Sequence, residues 1–110
     1  MTNRAVLAHG FTQTARSWAE IEHRLAELTP HIVTAAIDLP GHGTASNIAT
    51  DLWGAAEHLV ESGGTGAYVG YSMGGRVALH AALAHPDRVE RLVLIGATAG
   101  IDDSTQRAER

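Results

Sequence analysis

The sequence lacks cysteine and lysine altogether, and it contains only three prolines and one phenylalanine in 110 residues. Without cysteine the chain cannot form disulfides or supply thiolate ligands to a metal, although this absence does not indicate a compartment. Without lysine its positive charge comes from eight scattered arginines, and the net charge at pH 7 is −4. We therefore expect no basic surface for nucleic acid.

Long apolar segments are also missing. No apolar run approaches the roughly 20 residues of a membrane-spanning helix, and residues 1–4 lack the charged and then apolar pattern of a signal peptide. We expect a cytoplasmic protein without a membrane partner. An apolar content of 45% over 110 residues is enough for one globular unit with a single core.

Short apolar runs alternate with segments of helical pattern along the chain. Strands are predicted at 4–8, 32–37, 67–69 and 89–95, and helices at 17–28, 50–61 and 76–84. Because strands alternate with helices, the sequence predicts a mostly parallel sheet with right-handed crossovers and helices on both faces. The expected fold class is an α/β three-layer sandwich.

Apolar spacing in the first two helices indicates which faces should be buried. In the first helix we expect one stripe against the core, with Trp18 packing rather than binding a ligand. Its members are Trp18, Ile21, Leu25 and Leu28. In the second helix Thr50 or Asp51 is a suitable N-cap, and the residues expected to face inward are Leu52, Ala55, Ala56, Leu59 and Val60.

The segment Gly70-Tyr71-Ser72-Met73-Gly74-Gly75 has the pattern G-x-S-x-G and lies between a predicted strand and a predicted helix. In such a turn the serine is held at a strained backbone position, and its neighbours two residues away must be small. The geometry exposes the Ser72 hydroxyl and directs the Met73 N–H and the helix N-terminus into the same space. The alternative is a glycine-rich turn whose serine caps the helix. The strand-turn-helix context favours a catalytic nucleophile.

Two further loops follow predicted strands, at His9-Gly10-Phe11 and at 38–43. Asp38 stands at a carboxyl end of a strand, where ligands gather in open α/β sheets. We nevertheless favour a structural carboxylate that accepts hydrogen bonds from nearby backbone N–H groups. His9 and His42 belong to these loops and are expected to shape the rim of the site.

In their order and spacing, the elbow and these two loops resemble the α/β-hydrolase superfamily over the whole length of the chain. The resemblance implies that Ser72 is the catalytic serine and that the backbone N–H groups of Phe11 and Met73 form an oxyanion hole. It implies no cofactor and no metal. Two preorganised donors can each contribute about 3 kcal/mol to lowering the barrier.

Within the superfamily, residues 70–76, 9–12 and 100–110 look most like the lyases of menaquinone synthesis that eliminate pyruvate from a carboxylated cyclohexene. Arg76 would then bind a carboxylate of a small anionic substrate, although a solvent-facing arginine is an equal alternative. Tyr71 is expected to line the substrate pocket rather than simply pack.

The chain departs from the family pattern because members are about twice as long and supply the triad acid and histidine after the serine, on later strands. His80 and His85 are expected to be surface or packing residues, and Asp102 and Asp103 to cap a helix. We therefore expect residues 1–110 to be the N-terminal part of an α/β-hydrolase core, without lid or C-terminal triad region, and weakly active or inactive alone.

Three functions remain open from the sequence. The first is the lyase, the second is a serine hydrolase of esters or lactones, and the third is an inactive fragment or interaction module. The oligomeric state is not predicted. We expect the last strand to leave an open, apolar sheet edge.

Overall fold

The computed structural model describes residues 2–96. They form four strands, three α-helices and two short 3-10 helices. The strands are β1 (Arg4–Ala8), β2 (Val33–Ile37), β3 (Gly66–Tyr71) and β4 (Val89–Ile95), and the helices are α1 (Ala19–Leu28), α2 (Leu52–Gly63) and α3 (Met73–Ala84), with 3-10 helices at Ala15–Trp18 and Gly43–Ala45. The cap predicted from Asp102 and Asp103 lies outside the described residues.

The four strands form one parallel sheet in the order β2-β1-β3-β4. In the sheet, β2 lies on one side of β1, whereas the chain then returns to place β3 and β4 on the other side of β1. With right-handed crossovers this places α1 on one face and α2 and α3 on the opposite face. The predicted α/β architecture with helices on both faces is confirmed.

The main core lies between the sheet and the face covered by α2 and α3. Asp51 caps α2, because its carboxylate accepts the N–H of Gly54 at 2.8 Å, as expected for one of the two candidate caps. Tyr68 is fully buried, and its hydroxyl donates to the carbonyl of Gly64 just after α2. The core side chains are Val6, Ala8, Leu39, Ala55, Ala56, Leu59, Val60, Tyr68, Val77, Ala78 and Ala81.

The predicted burial of the first helix is wrong in part. Trp18 is buried, at 5% exposure, but it ends the 3-10 helix that precedes α1. Ile21 is 47% exposed, Leu28 is 76% exposed, and no residue of α1 itself is buried. The periodicity correctly indicated an amphipathic helix. It could not show that residues 2–96 cover that apolar face only in part, with Leu25 half-buried.

At the other side of the sheet, β4 is an edge strand among the described residues. The side chains of Val93 and Ile95 are 46% and 45% exposed, as expected for an open apolar edge. Within residues 2–96, no helix has the length and hydropathy needed to cross a membrane.

Candidate active site

Ser72 is the one residue between the end of β3 and the start of α3. Its backbone has φ 54° and ψ −115°, a left-handed conformation that is costly for any residue with a β-carbon. The Ser72 side chain makes no capping hydrogen bond to α3. The strained turn predicted from the sequence is therefore present, and the alternative of a helix-capping serine is not observed.

The glycines on either side of Ser72 allow the turn to close. A β-carbon at Gly70 would overlap the backbone of Gly74 and Gly75, and one at Gly74 would overlap the carbonyl oxygens of Ala8 and His9. The first turn of α3 therefore lies directly on the end of β1. Since Ala8 of β1 pairs with Gly70 of β3, the segments leaving the two strands emerge side by side.

Phe11 and Met73, whose amides were predicted to form an oxyanion hole, line one cleft of about 640 Å³. Met73 opens α3, so its N–H has no partner within the helix and lies at the positive end of the helix dipole. Among residues 2–96 neither amide donates a hydrogen bond. Neither amide is therefore engaged by another group of these residues.

The other wall of the cleft is the long segment between β2 and α2. It contributes side chains and backbone from Pro40 to Thr50, with Thr12 added from the loop after β1. The described lining contains no arginine, aspartate or glutamate. Its residues are Phe11, Thr12, Pro40, Gly41, His42, Ser46, Ile48, Ala49, Thr50 and Met73.

A second, more apolar pocket of about 330 Å³ adjoins the cleft and shares Pro40, Thr50 and Met73 with it. Its additional walls are side chains of the loop after β2, of α2 and of α3. They are Leu39, Asp51, Leu52, Ala55 and Val77. Because the Asp51 carboxylate is already engaged as the cap of α2, the remaining lining offers mainly hydrocarbon contact.

Asp38 has the structural role favoured from the sequence. One carboxylate oxygen accepts the N–H of Ala15 at 2.7 Å, and the other accepts the N–H and hydroxyl of Thr44 at 2.9 and 2.8 Å. These bonds, led by that from Ala15, hold the pKa of the Asp38 carboxyl below its ordinary value. Asp38 thus joins the loop after β1 to the loop after β2.

The peptide group between Asp38 and Leu39 is bound by two imidazoles. Nε2 of His9 accepts the Leu39 N–H at 3.0 Å, and Nε2 of His58 donates to the Asp38 carbonyl at 3.1 Å. His9 is completely buried. Burial lowers the pKa of His9, an effect reinforced by His42 and partly offset by the Gly10 carbonyl and by Asp38.

The structure places Tyr71 and Arg76 away from the cleft. Tyr71 is 42% exposed and lines a separate cavity of about 310 Å³ on the α1 side of the sheet, with Trp18, Ile21 and Ile95. Its ring lies between the backbones of the loops that follow β1 and β4. Arg76 is exposed on α3 and is not part of the described cleft lining.

His80 of α3 and His85, which directly follows this helix, lie outside the cleft lining. Nδ1 of His80 donates to the Arg76 carbonyl at 2.7 Å, and its ring makes an edge contact with Trp53. His85 pairs with Glu57 of α2. Among the described residues, no cluster of histidine and acidic side chains is arranged to hold a metal ion.

Sequence reasoning found the serine and its two glycines but missed the segment 46–50 as a wall of the cleft. It also missed His58 as a support for the loop after β2. The composition carried a signal for the second point, because seven histidines is a high number for 110 residues. Only the folded chain shows which backbone groups they bind.

A parallel α/β sheet with a strained serine between a strand and a helix is typical of a hydrolase-like α/β protein. A model of the alpha/beta hydrolase family matches residues 5–110. The chain therefore belongs to this family.

Curated relatives with different activities are similar to this chain. It is 39% identical to lipase LipV of Mycobacterium tuberculosis, covering 94% of this chain and 41% of that protein. It is 37% identical to the pimeloyl-[acyl-carrier protein] methyl ester esterase of Vibrio vulnificus, covering 84% and 36%. It is 32% identical to the 2-succinyl-6-hydroxy-2,4-cyclohexadiene-1-carboxylate synthase of an Enterobacter species, covering 96% and 42%.

A solved hydrolase from Pseudomonas aeruginosa superposes with a TM-score of 0.75 at 28% identity, covering 99% of this chain and 43% of that one. The chain thus spans about two fifths of the length of its relatives. The similarity to the synthase confirms the predicted resemblance. It does not single out that activity, because a lipase and an esterase match as well.

Proposed function

We propose that the protein carrying this chain is a serine hydrolase of carboxylic esters, with Ser72 as nucleophile and the Phe11 and Met73 amides as oxyanion donors. The observation that carries this proposal is the cleft itself. The strained serine immediately precedes Met73, and the cleft lining, which includes Phe11 and Met73 but not Ser72 itself, has no cationic side chain. Such a lining suits a neutral ester better than a substrate with several carboxylates.

In this mechanism the Ser72 oxygen attacks the ester carbonyl, and the tetrahedral oxyanion receives hydrogen bonds from the two amides. Collapse of the intermediate expels the alcohol and leaves an acyl-serine, which water hydrolyses to the acid. Loss of one oxyanion donor typically costs about 3 kcal/mol of barrier, or more than a hundredfold in rate.

The base that accepts the Ser72 proton is not assigned to a histidine near the cleft. His9 uses Nε2 for the Leu39 N–H and Nδ1 for the Gly10 carbonyl. His42 likewise has both ring nitrogens bonded to backbone groups. We therefore place the base outside residues 2–96, in agreement with the greater length of the relatives.

The apolar pocket beside the cleft supports an acyl group of hydrocarbon character. It begins at Met73, next to the nucleophile, and continues along Leu39, Leu52 and Val77. Burial of hydrocarbon contributes about 0.8 kcal/mol for each CH₂. The proposal therefore includes a preference for medium acyl chains over acetate.

The test is hydrolysis of 4-nitrophenyl acetate, butyrate and octanoate by the protein that carries this chain, compared with its Ser72→Ala variant. We expect kcat/KM to rise with acyl length and to fall at least a thousandfold in the variant. Turnover that does not depend on Ser72 would refute the proposal and favour an interaction module.

The lyase of menaquinone synthesis is the second candidate. It is supported by similarity to the synthase and by Arg76, which follows Ser72 by one helical turn. The substrate of this lyase has several carboxylates, which Arg76 would bind. Arg76→Ala should then raise KM for that substrate more than tenfold and leave KM for neutral esters unchanged. Arg91→Ala, at an exposed position, is the control. An unchanged KM in Arg76→Ala would remove the lyase.

A further inference from the structure

Two histidines connect the loops on either side of the cleft in a reciprocal way. His9, in the loop after β1, accepts the N–H of Leu39 in the loop after β2 at 3.0 Å. His42, in the loop after β2, accepts the N–H of Thr12 in the loop after β1 at 3.2 Å. The two rings make an edge contact, with centroids 5.0 Å apart. We call this pair of bonds the histidine clasp.

The clasp requires one tautomer of each ring. Since Nε2 accepts in both cases, the proton resides on Nδ1. It is donated to the Gly10 carbonyl at 2.7 Å by His9 and to the Pro40 carbonyl at 3.1 Å by His42. A protonated imidazole carries hydrogen on both nitrogens and cannot accept either backbone N–H.

The residue bound by His42 lies in a strained turn. Thr12 has φ 65°, although it is β-branched. The Gln13 N–H donates to the Gly10 carbonyl at 3.2 Å, which closes a turn over residues 10–13. Phe11 is inside this turn, and its ring contacts the ring of His42 edge-on at 5.7 Å. A strained turn persists only when surrounding contacts hold it, and His42 supplies two of them.

We infer that His42 is a positioning residue, which holds the turn over residues 10–13 and thereby keeps the Phe11 amide at the cleft as long as the clasp is neutral. The catalytic part of this inference rests on the proposed function. The groups that face the clasp are the two imidazoles themselves and Asp38, together with His58 on the far side of the Asp38–Leu39 peptide. Protonation of both rings would place two cations within about 5 Å of each other and remove both backbone acceptors.

The structural arm of the test measures amide hydrogen exchange by NMR in the ¹⁵N-labelled chain. The His42→Phe variant keeps an aromatic ring but loses the acceptor, and His42→Gln offers an acceptor again. We expect exchange of the Thr12 amide to accelerate roughly 2- to 10-fold in His42→Phe and to return toward wild type in His42→Gln. His31→Gln, at an exposed position, is the matched control. Unchanged Thr12 exchange in folded His42→Phe would overturn the inference.

A pH titration of the wild-type chain provides a second measurement that needs no variant. The Thr12 amide shift should follow the same titration curve as the His42 ring protons, and the Leu39 amide should follow those of His9. Independent titration of the Thr12 amide and the His42 ring would overturn the clasp.

The catalytic arm uses the ester assay and is read separately. His42→Phe should lower kcat with little change in KM, and His42→Gln should restore kcat, which a general loss of stability would not do. An unaffected kcat together with Ser72-dependent turnover would overturn the positioning role. Absence of Ser72-dependent turnover would refute the proposed function, whereas the exchange data would still decide on the clasp.

Discussion

Asp38→Asn tests the contact that joins the two loops beside the cleft. The carboxylate accepts a backbone N–H at each oxygen, from Ala15 at 2.7 Å and from Thr44 at 2.9 Å. Asparagine has only one carbonyl oxygen, so its NH₂ group must face one of these two N–H donors. One backbone donor therefore loses its acceptor, whichever way the amide is turned.

The expected cost follows from that loss. A hydrogen bond to a charged group contributes about 1.5–3 kcal/mol, and the lower part of this range applies because Asp38 is only half-buried. We expect the free energy of unfolding to decrease by about 2 kcal/mol at pH 7. With an ordinary urea dependence for a chain of this size, the midpoint should fall by roughly 1 M.

The assay is urea unfolding followed by circular dichroism, with Asp87→Asn as an exposed control. The difference between wild type and Asp38→Asn should also depend on pH. Because the folded-state pKa of Asp38 is lowered, its stabilising contribution is complete above the unfolded-state pKa of about 3.9 and is lost as the pH falls toward the folded-state value. Substitutions at exposed sites usually change the free energy of unfolding by no more than about 0.5 kcal/mol. If Asp38→Asn differed from the control by less than this amount, the role assigned to Asp38 at the loop junction would be refuted.

Three further predictions follow from strain, close packing and burial. Ser72→Gly should raise the free energy of unfolding by about 1 kcal/mol relative to Ser72→Ala, because glycine accepts the left-handed backbone; equal stability of the two variants would contradict this. Gly74→Ala should cost about 3 kcal/mol or more in urea unfolding, because its β-carbon would meet two backbone carbonyls. Gly64→Ala, in open space at φ 79° and ψ −156°, has no steric overlap and should cost less than Gly74→Ala, about 2 kcal/mol from its backbone conformation alone; equal losses would be evidence against the close approach of α3 to β1. Since burial lowers the pKa of His9, the contribution of His9 to stability should be constant above pH ~6.5 and should decrease below it by up to about 1.4 kcal/mol per pH unit. His9→Gln should reduce this dependence of the free energy of unfolding on pH, measured by urea unfolding at several pH values. An unchanged dependence would show that a group other than His9 takes up the proton.

Local chemistry was enough to predict most of the fold. Gly70 and Gly74 indicated a turn too tight for larger residues, and the collisions expected of a β-carbon there bear this out. The cap of α2 was narrowed to Thr50 or Asp51, and the structure shows Asp51, because a side-chain oxygen three residues before an N–H needs no information from the rest of the chain. Such features depend on neighbours in sequence.

Features that depend on distant residues were not predictable. The apolar stripe of α1 identifies a face, but exposure of Ile21 and Leu28 depends on what else packs there. The bond between Thr12 and His42 joins residues 30 positions apart in the chain. No spacing rule connects them, because their approach results from the order of β1 and β2 in the sheet.

The position of Tyr71 determines how the cavity on the α1 side of the sheet could be changed by mutation. A β-carbon at Gly10 would lie about 3.0 Å from one edge of the phenol ring, and one at Gly96 would lie 3.4 Å from the opposite edge. The absence of a side chain at both glycines therefore determines how far the ring can rotate. Enlarging either residue would push the phenol away from that residue and change the shape of the cavity that Tyr71 shares with Trp18 and Ile95.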